Sequence, residues 1–291
     1  MFEYLRLGLG RTVFKQAWLF LTRRCSRDAA YARIRYEVDK RLQAKYFAYI
    51  KQRKSLYEDA HEPEGTQTDR KVWTCWLQGF DKAPAIVQSC QLSVRQFVTD
   101  RDTVQLTYDN YRDYVSLPEH VVEKYERGLI PPALFADILR LEVLIEKGGT
   151  WVDATILVTG QGPWLQEILD ADLFMFQTLR RGDDRFHGIS NWFISARRWS
   201  RPLMVLRDVL VEYWRDYSVT LDYCMFHDFF YTIAELYPED IASMPKRNRL
   251  GPLMLMGRQG YVVTEKGIQM KNAEWVNELL KRVHVHKLCW R

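Results

Sequence analysis

The stretch from Glu146 to Thr155, EKGGTWVDAT, decides how the chain is read. Its two glycines let the backbone reverse cheaply with positive φ, and Thr150-Trp151-Val152 has the β-branched and aromatic character of a strand entering a core. The residue that follows, Asp153, is succeeded by a small side chain and then by the hydroxyl of Thr155. Packing gives little reason for a carboxylate there. It either caps a turn or faces something charged.

Upstream, PPALFADILRLEVLIEKGG predicts an amphipathic helix started by Pro and stopped by Gly148-Gly149. Asp137 and Arg140 lie three apart on one face of it. Their neighbours Ile138 and Leu139 are apolar, so the helix is largely buried and its charges need partners. One reading is an internal ion pair; the other, taken with Asp153, is a polar cluster built around a ligand. Further toward the start, KVWTCWLQG predicts a buried strand ending at Gln78-Gly79. APAIVQSCQLSVRQF predicts a helix with Pro84 in its first turn, and TVQLTYDN a second strand. Downstream, TWVDATILVTG reads as one strand, DADLFMFQT and SNWFISAR as two more, and RPLMVLRDVLVEYWRDY and LDYCMFHDFFYTIAELY as helices. This alternation predicts an α/β domain with a mainly parallel sheet. Ligands gather at the carboxyl ends of such strands, where Gln78, Asn110 and Asp153 fall.

The chain of 291 residues is 47% hydrophobic and 14% aromatic, enough for a sizeable core and against disorder. Five cysteines with no C-x-x-C pair fit a reducing compartment, and no zinc site is suggested. No apolar run approaches the roughly 20 residues of a bilayer crossing, and no signal peptide is expected. The net charge of +5 is unevenly placed. Residues 1–58 hold 14 Lys and Arg against 5 Asp and Glu, a net of +9, and the rest hold 28 against 32, a net of −4. A boundary is predicted near Thr68, separating a basic helical arm (1–68) from the main domain (69–291). Val13, Phe14, Ala17, Trp18 and Leu21 recur at helical spacing in the arm. Two readings of that stripe stay open: it lies on an anionic leaflet, or it packs on the main domain. Nucleic acid is disfavoured, because the charge is not interleaved with a binding motif.

Taken together, ADILRLEVLIEKGGTWVDAT fits the pattern [SA]-D-x-x-R-x-x-x-L-x-x-x-G-G-x-[YW]-x-D-x-[DT] and resembles the signature of GT-A glycosyltransferases that carry a D-x-D motif. The chain is most similar to the capsular polysaccharide synthesis proteins, relatives of certain mannosyltransferases and of the glucosyltransferase domains of large clostridial toxins. The resemblance spans most of 71–291, taking in VWTCWLQGFDKAPAIVQSC, YDNYRDYVSLPEHVVEKYERG, ISNWFISAR, DYCMFHDFF and the terminal HKL. It implies a GT-A, Rossmann-like nucleotide-sugar-binding fold with an N-terminal helical extension. The implied activity is retaining transfer of a sugar, of the hexosyltransferase kind, from a UDP-sugar or similar donor to a glycan or lipid-linked saccharide. The implied location is the cytoplasm or the inner face of the plasma membrane. A non-catalytic glycan-assembly or membrane-scaffold protein of the same fold is the alternative.

Residue by residue, the resemblance puts Asp153 at the D-x-D position facing Mn²⁺ or Mg²⁺, with Thr155 and His286 as further ligands. Asp137, Arg140 and Gly149 would border the donor sugar and ribose. Trp73, Trp76 and Gln78 would border the base, and Lys287 and Trp290 would close over the diphosphate as a C-terminal lid. Asn191, Trp192 and Asp228 are the acceptor-side candidates, and Asp153, Asp137, Arg140 and Asp228 are the catalytic candidates. His227 reads as a core histidine, and Asp183-Asp184 as a solvated loop near the acceptor. One departure stands out: many relatives have a second Asp where this chain has Thr155, which offers one negative charge fewer.

Overall fold

The computed structural model describes residues 2–61, 69–179, 188–257 and 259–290. The Asp183-Asp184 pair lies outside them. In chain order the elements begin with α1 (Phe2–Arg6), α2 (Gly10–Leu21), α3 (Arg27–Asp59), β1 (Val72–Cys75), α4 (Ala85–Phe97) and β2 (Thr103–Leu106). Then come α5 (Glu119–Glu126), α6 (Pro132–Lys147), β3 (Gly149–Val152), β4 (Ile156–Val158), α7 (Pro163–Leu169), β5 (Leu173–Gln177) and β6 (Ile189–Ala196). The last are α8 (Arg201–Asp216), α9 (Met225–Leu236), α10 (Pro238–Ser243), α11 (Leu250–Leu253), β7 (Tyr261–Thr264), β8 (Gly267–Met270), α12 (Glu274–Arg282) and β9 (Val285–Lys287).

The chain divides into two compact units: Met1–His61 with Leu117–Ile138 and Arg201–Tyr237, and Glu62–Ser116 with Leu139–Ser200 and Pro238–Arg291. The expected arm of residues 1–68 is therefore not a unit by itself. The reason lies in α3, which packs along α8 and α9 and buries Val38, Leu42, Tyr46, Ile50 and Tyr57 down one side. Each fully buried Leu or Ile of this kind contributes roughly 1.5–3 kcal/mol, which outweighs the otherwise polar composition of the helix. Ser26 starts α3 by accepting a hydrogen bond from the Ala29 N–H at 3.1 Å. Ion pairs fasten the same helix, Lys45 to Asp216 at 2.5 Å and Arg53 to Asp208, while the Tyr57 hydroxyl donates to Asp208.

The other unit is α/β, as the resemblance implies. Its five-stranded sheet has the order β2-β1-β3-β6-β5. β1 runs parallel to β2 and β3, but β6 is antiparallel to β3 and β5, so the sheet is mixed where a mainly parallel one was expected. The segment between β5 and β6 is shorter than the crossover of about a dozen or more residues that a parallel pair needs. Val72, Val152, Phe174, Phe176, Trp192 and Phe193 share one buried cluster with residues of α4 and α7. The Gly148-Gly149 turn is required by geometry. Gly148 takes φ +72 as its N–H closes α6 on Leu144 O, and a Cβ on Gly149 (φ +94) would lie 2.5 Å from Lys71 O. No helix among the described residues is long and apolar enough to cross a membrane.

Candidate functional site

TWVDATILV is two strands, with Asp153 at the joint. β3 ends at Val152, the Asp153 N–H extends the ladder by donating to Trp192 O at 2.9 Å, and the Ile156 N–H then donates back to Asp153 O at 2.9 Å, closing a tight turn. β4 leaves this turn and pairs antiparallel with β9, Ile156 opposite Lys287, in a separate two-stranded sheet. The Leu288 N–H donates to Thr155 O at 3.0 Å, so the register brings Lys287 over the turn.

The Lys287 ammonium donates to Asp153 Oδ2 at 2.7 Å and to Thr155 Oγ1 at 2.9 Å. The other carboxylate oxygen, Oδ1, accepts from Trp151 Nε1 at 2.9 Å and lies 3.4 Å from an Arg140 nitrogen. Arg140 is held in turn: it donates to Asn191 O, and its guanidinium lies over the Trp151 ring at 5.1 Å. Burial by itself would raise the Asp153 carboxyl. Lys287, then Arg140, and the hydrogen bonds from Lys287 and Trp151 together outweigh it and hold the group below the ordinary carboxylate range. Cys75, at the end of β1, feels both Arg140 and Asp153, but burial pushes its thiol up to about 12, so it stays an unreactive thiol.

The structure thus brings Asp153, Thr155, Arg140 and Lys287 together, with the Asn191 carbonyl as a support for Arg140. The expected base-side aromatics Trp76 and Trp290 also meet, edge to face at 5.5 Å, with Trp290 exposed. Gln78 is exposed in the turn after β1. Trp73 is a core residue whose indole N–H donates to Gly148 O at 2.8 Å, and Trp192 is a core residue stacked on Phe176. Asn110 folds its own loop, its side chain bonded to Thr107 N and Gln105 O. Asp137 is buried on α6, one turn before Arg140. Asp228 lies on α9 of the other unit, where burial, then Asp39 and Asp222, push its carboxyl up to about 7 against the opposing pull of Arg35. His227 is half-buried on α9, its ring centroid 5.8 Å from that of Phe226.

The C-terminal segment is a strand: β9 is paired along its length with β4, and His286, expected as a metal ligand, is fully buried. The His286 ring shares a hydrogen bond through Nε2 with Thr159 Oγ1 at 3.1 Å, and burial takes its pKa down to about 4, so it is a neutral core group. Sequence reasoning also missed Trp151, although its i, i+2 spacing from Asp153 on a strand is the signal that would have found it.

The resemblance implies Mn²⁺ or Mg²⁺ at Asp153. The donor set there is one carboxylate and one hydroxyl, and both already carry the Lys287 ammonium. Among the described residues, no group of three or more His, Cys, Asp and Glu side chains is placed to hold a metal ion. These residues do not fit a preformed divalent-cation site, because a cation there would have to displace Lys287 and rest on a single carboxylate.

Compared with known proteins, the family described as capsular polysaccharide synthesis protein matches residues 21–291. No curated protein matches. Among solved structures, the PaToxG glycosyltransferase is similar at 13% identity and a TM-score of 0.41, over 70% of this chain and 79% of that one.

Proposed function

Because the chain belongs to the capsular polysaccharide synthesis protein family, we propose that it is a glycosyltransferase that moves a sugar from a nucleotide-sugar, of the UDP-sugar kind, onto a surface glycan or its lipid-linked precursor. The observation that carries the reading is the turn at Asp153, where Lys287 and Arg140 converge on one carboxylate at the carboxyl end of β3. In such a transfer the bond from the anomeric carbon to the diphosphate oxygen breaks, and its electron pair leaves with the nucleoside diphosphate. Fixed cations aimed at that oxygen stabilise the developing charge without reorganising. Lys287 and Arg140 fill this role, with Asp153 holding both in place and Trp151 holding Asp153. Trp76 and Trp290 offer ring faces to the base. The sugar keeps its anomeric configuration in this reading: the acceptor oxygen bonds to the anomeric carbon on the face from which the diphosphate departs, and its hydroxyl proton passes to the departing phosphate oxygen.

The test is release of nucleotide from a panel of nucleotide-sugars, in EDTA and with Mn²⁺. One donor is expected to turn over, and to keep turning over in EDTA. Release from none would favour the non-catalytic assembly protein. Release lost in EDTA and restored by Mn²⁺ would take the charge-neutralising role away from Lys287.

A further inference from the structure

A surface helix ordinarily turns its apolar stripe inward. In α2 the buried residue is Gln16, while Phe14, Trp18 and Leu21, at i, i+4 and i+7, form a stripe that is 75%, 57% and 75% exposed. The helix is anchored by packing on α3, and Leu9, just before it, is fully buried, so the outward stripe belongs to a seated helix. Arg11 and Lys15 flank this stripe, and Arg23, Arg24 and Arg27 follow the helix. All five are exposed, and none forms an ion pair among the described residues. Between residues 2 and 28 the acidic side chains are Glu3, paired with Arg6, and Asp28 in the first turn of α3.

We infer that α2 docks in the plane of an anionic phospholipid surface. Twelve residues rise only about 18 Å, too short to span a bilayer and enough to lie along one. An apolar stripe edged by cations needs a partner that is apolar in its interior and negative at its surface. A second copy would satisfy the stripe but set the same five cations against each other across a two-fold axis. An anionic leaflet satisfies both, and neither requirement depends on the donor site.

Flotation of the full chain with phosphatidylcholine vesicles, and with vesicles containing phosphatidylglycerol, tests this at low and high salt. The protein should float with the anionic vesicles, less so at high salt, and stay behind with the neutral ones. Phe14→Ser with Trp18→Ser should abolish flotation while leaving the melting temperature unchanged, since these side chains touch solvent. Arg11→Glu with Lys15→Glu should lower partitioning roughly tenfold or more. Equal flotation on both vesicle types, no flotation of the intact chain, or flotation unaffected by the serine pair would each overturn the inference. A concentration-dependent dimer that the serine pair dissolves, without vesicle binding, would assign the stripe to a second copy instead.

Discussion

Asp153 and Asp228 are both half-buried, one just after a strand in the α/β unit and the other in the first turn of α9 in the helical unit. Around Asp153 the neighbours are an ammonium, a guanidinium and an indole N–H, and the carboxyl is held ionised. Asp228 has burial and two further carboxylates, Asp39 and Asp222, against a single Arg35. That arginine is already committed to Asp222 at 3.0 Å, and Asp228 is pushed up to about 7. Burial acts in the same direction on both; the difference lies in what each was given to offset it. A carboxylate surrounded by donors is an organiser of cations, whereas one among its own kind is a stability cost that pH can remove.

The sharpest way to break that contrast is to remove what Asp153 organises. Lys287→Met keeps most of the volume of the side chain and deletes its charge. If the ammonium faces the departing diphosphate, turnover of the donor should fall about a hundredfold or more. Affinity for the free nucleoside diphosphate, measured by calorimetry in EDTA, should fall with it. Near-normal turnover with weakened folding would leave Lys287 as a clamp between β4 and β9 and nothing more.

Asp153→Asn is the next largest. The substitution strands Lys287 and Arg140 beside a neutral group in a half-buried turn, which should cost on the order of 2 kcal/mol at neutral pH and lower turnover through loss of their positioning. Because the folded-state pKa of Asp153 is depressed, its stabilisation is fully present above the ordinary carboxylate pKa and is lost as pH falls through the lower folded value. Wild type and variant should therefore unfold at clearly different denaturant concentrations at pH 7 and converge in acid. A gap that persisted unchanged at low pH would mean the ion pairs do not set it.

The signature from Asp137 to Thr155 announced the helix and the Gly-Gly reversal, because each rests on local chemistry: periodic apolar residues and positive φ. The break of TWVDATILV into two sheets was not legible. Asp-Ala-Thr carries no Gly or Pro, and β-branched residues on both sides read as one run. β9 is three residues long, so nothing in VHVHKL distinguishes a strand from a tail until β4 is present to pair with it. The same gap explains His286: its neighbour Lys287 reaches the site only because strand register places it there, and alternation then sends the histidine ring to Thr159. In the arm, spacing showed that an apolar stripe exists but not which way it faces, which α3 decides by packing elsewhere.

The smallest expected effect falls on Asp228, and its sign is opposite to that of Asp153. A carboxyl whose folded pKa is raised favours the folded state only while it is protonated. That contribution is complete below the ordinary carboxylate pKa, declines as pH rises, and is gone once pH passes the folded value of about 7. Above that, the folded protein must hold an ionised Asp228 near Asp39 and Asp222 with Arg35 shared among them. Asp228→Asn removes that charge at nearly constant volume, so it should raise the melting temperature by a few degrees at pH 8 and by much less near pH 5. The group keeps partial contact with solvent, which screens the repulsion and keeps the gain modest. An equal gain at both pH values would assign the effect to packing of the amide. A loss at pH 8 would show that the ionised carboxylate holds something in place, and the contrast between the two aspartates would then be one of partner rather than of role.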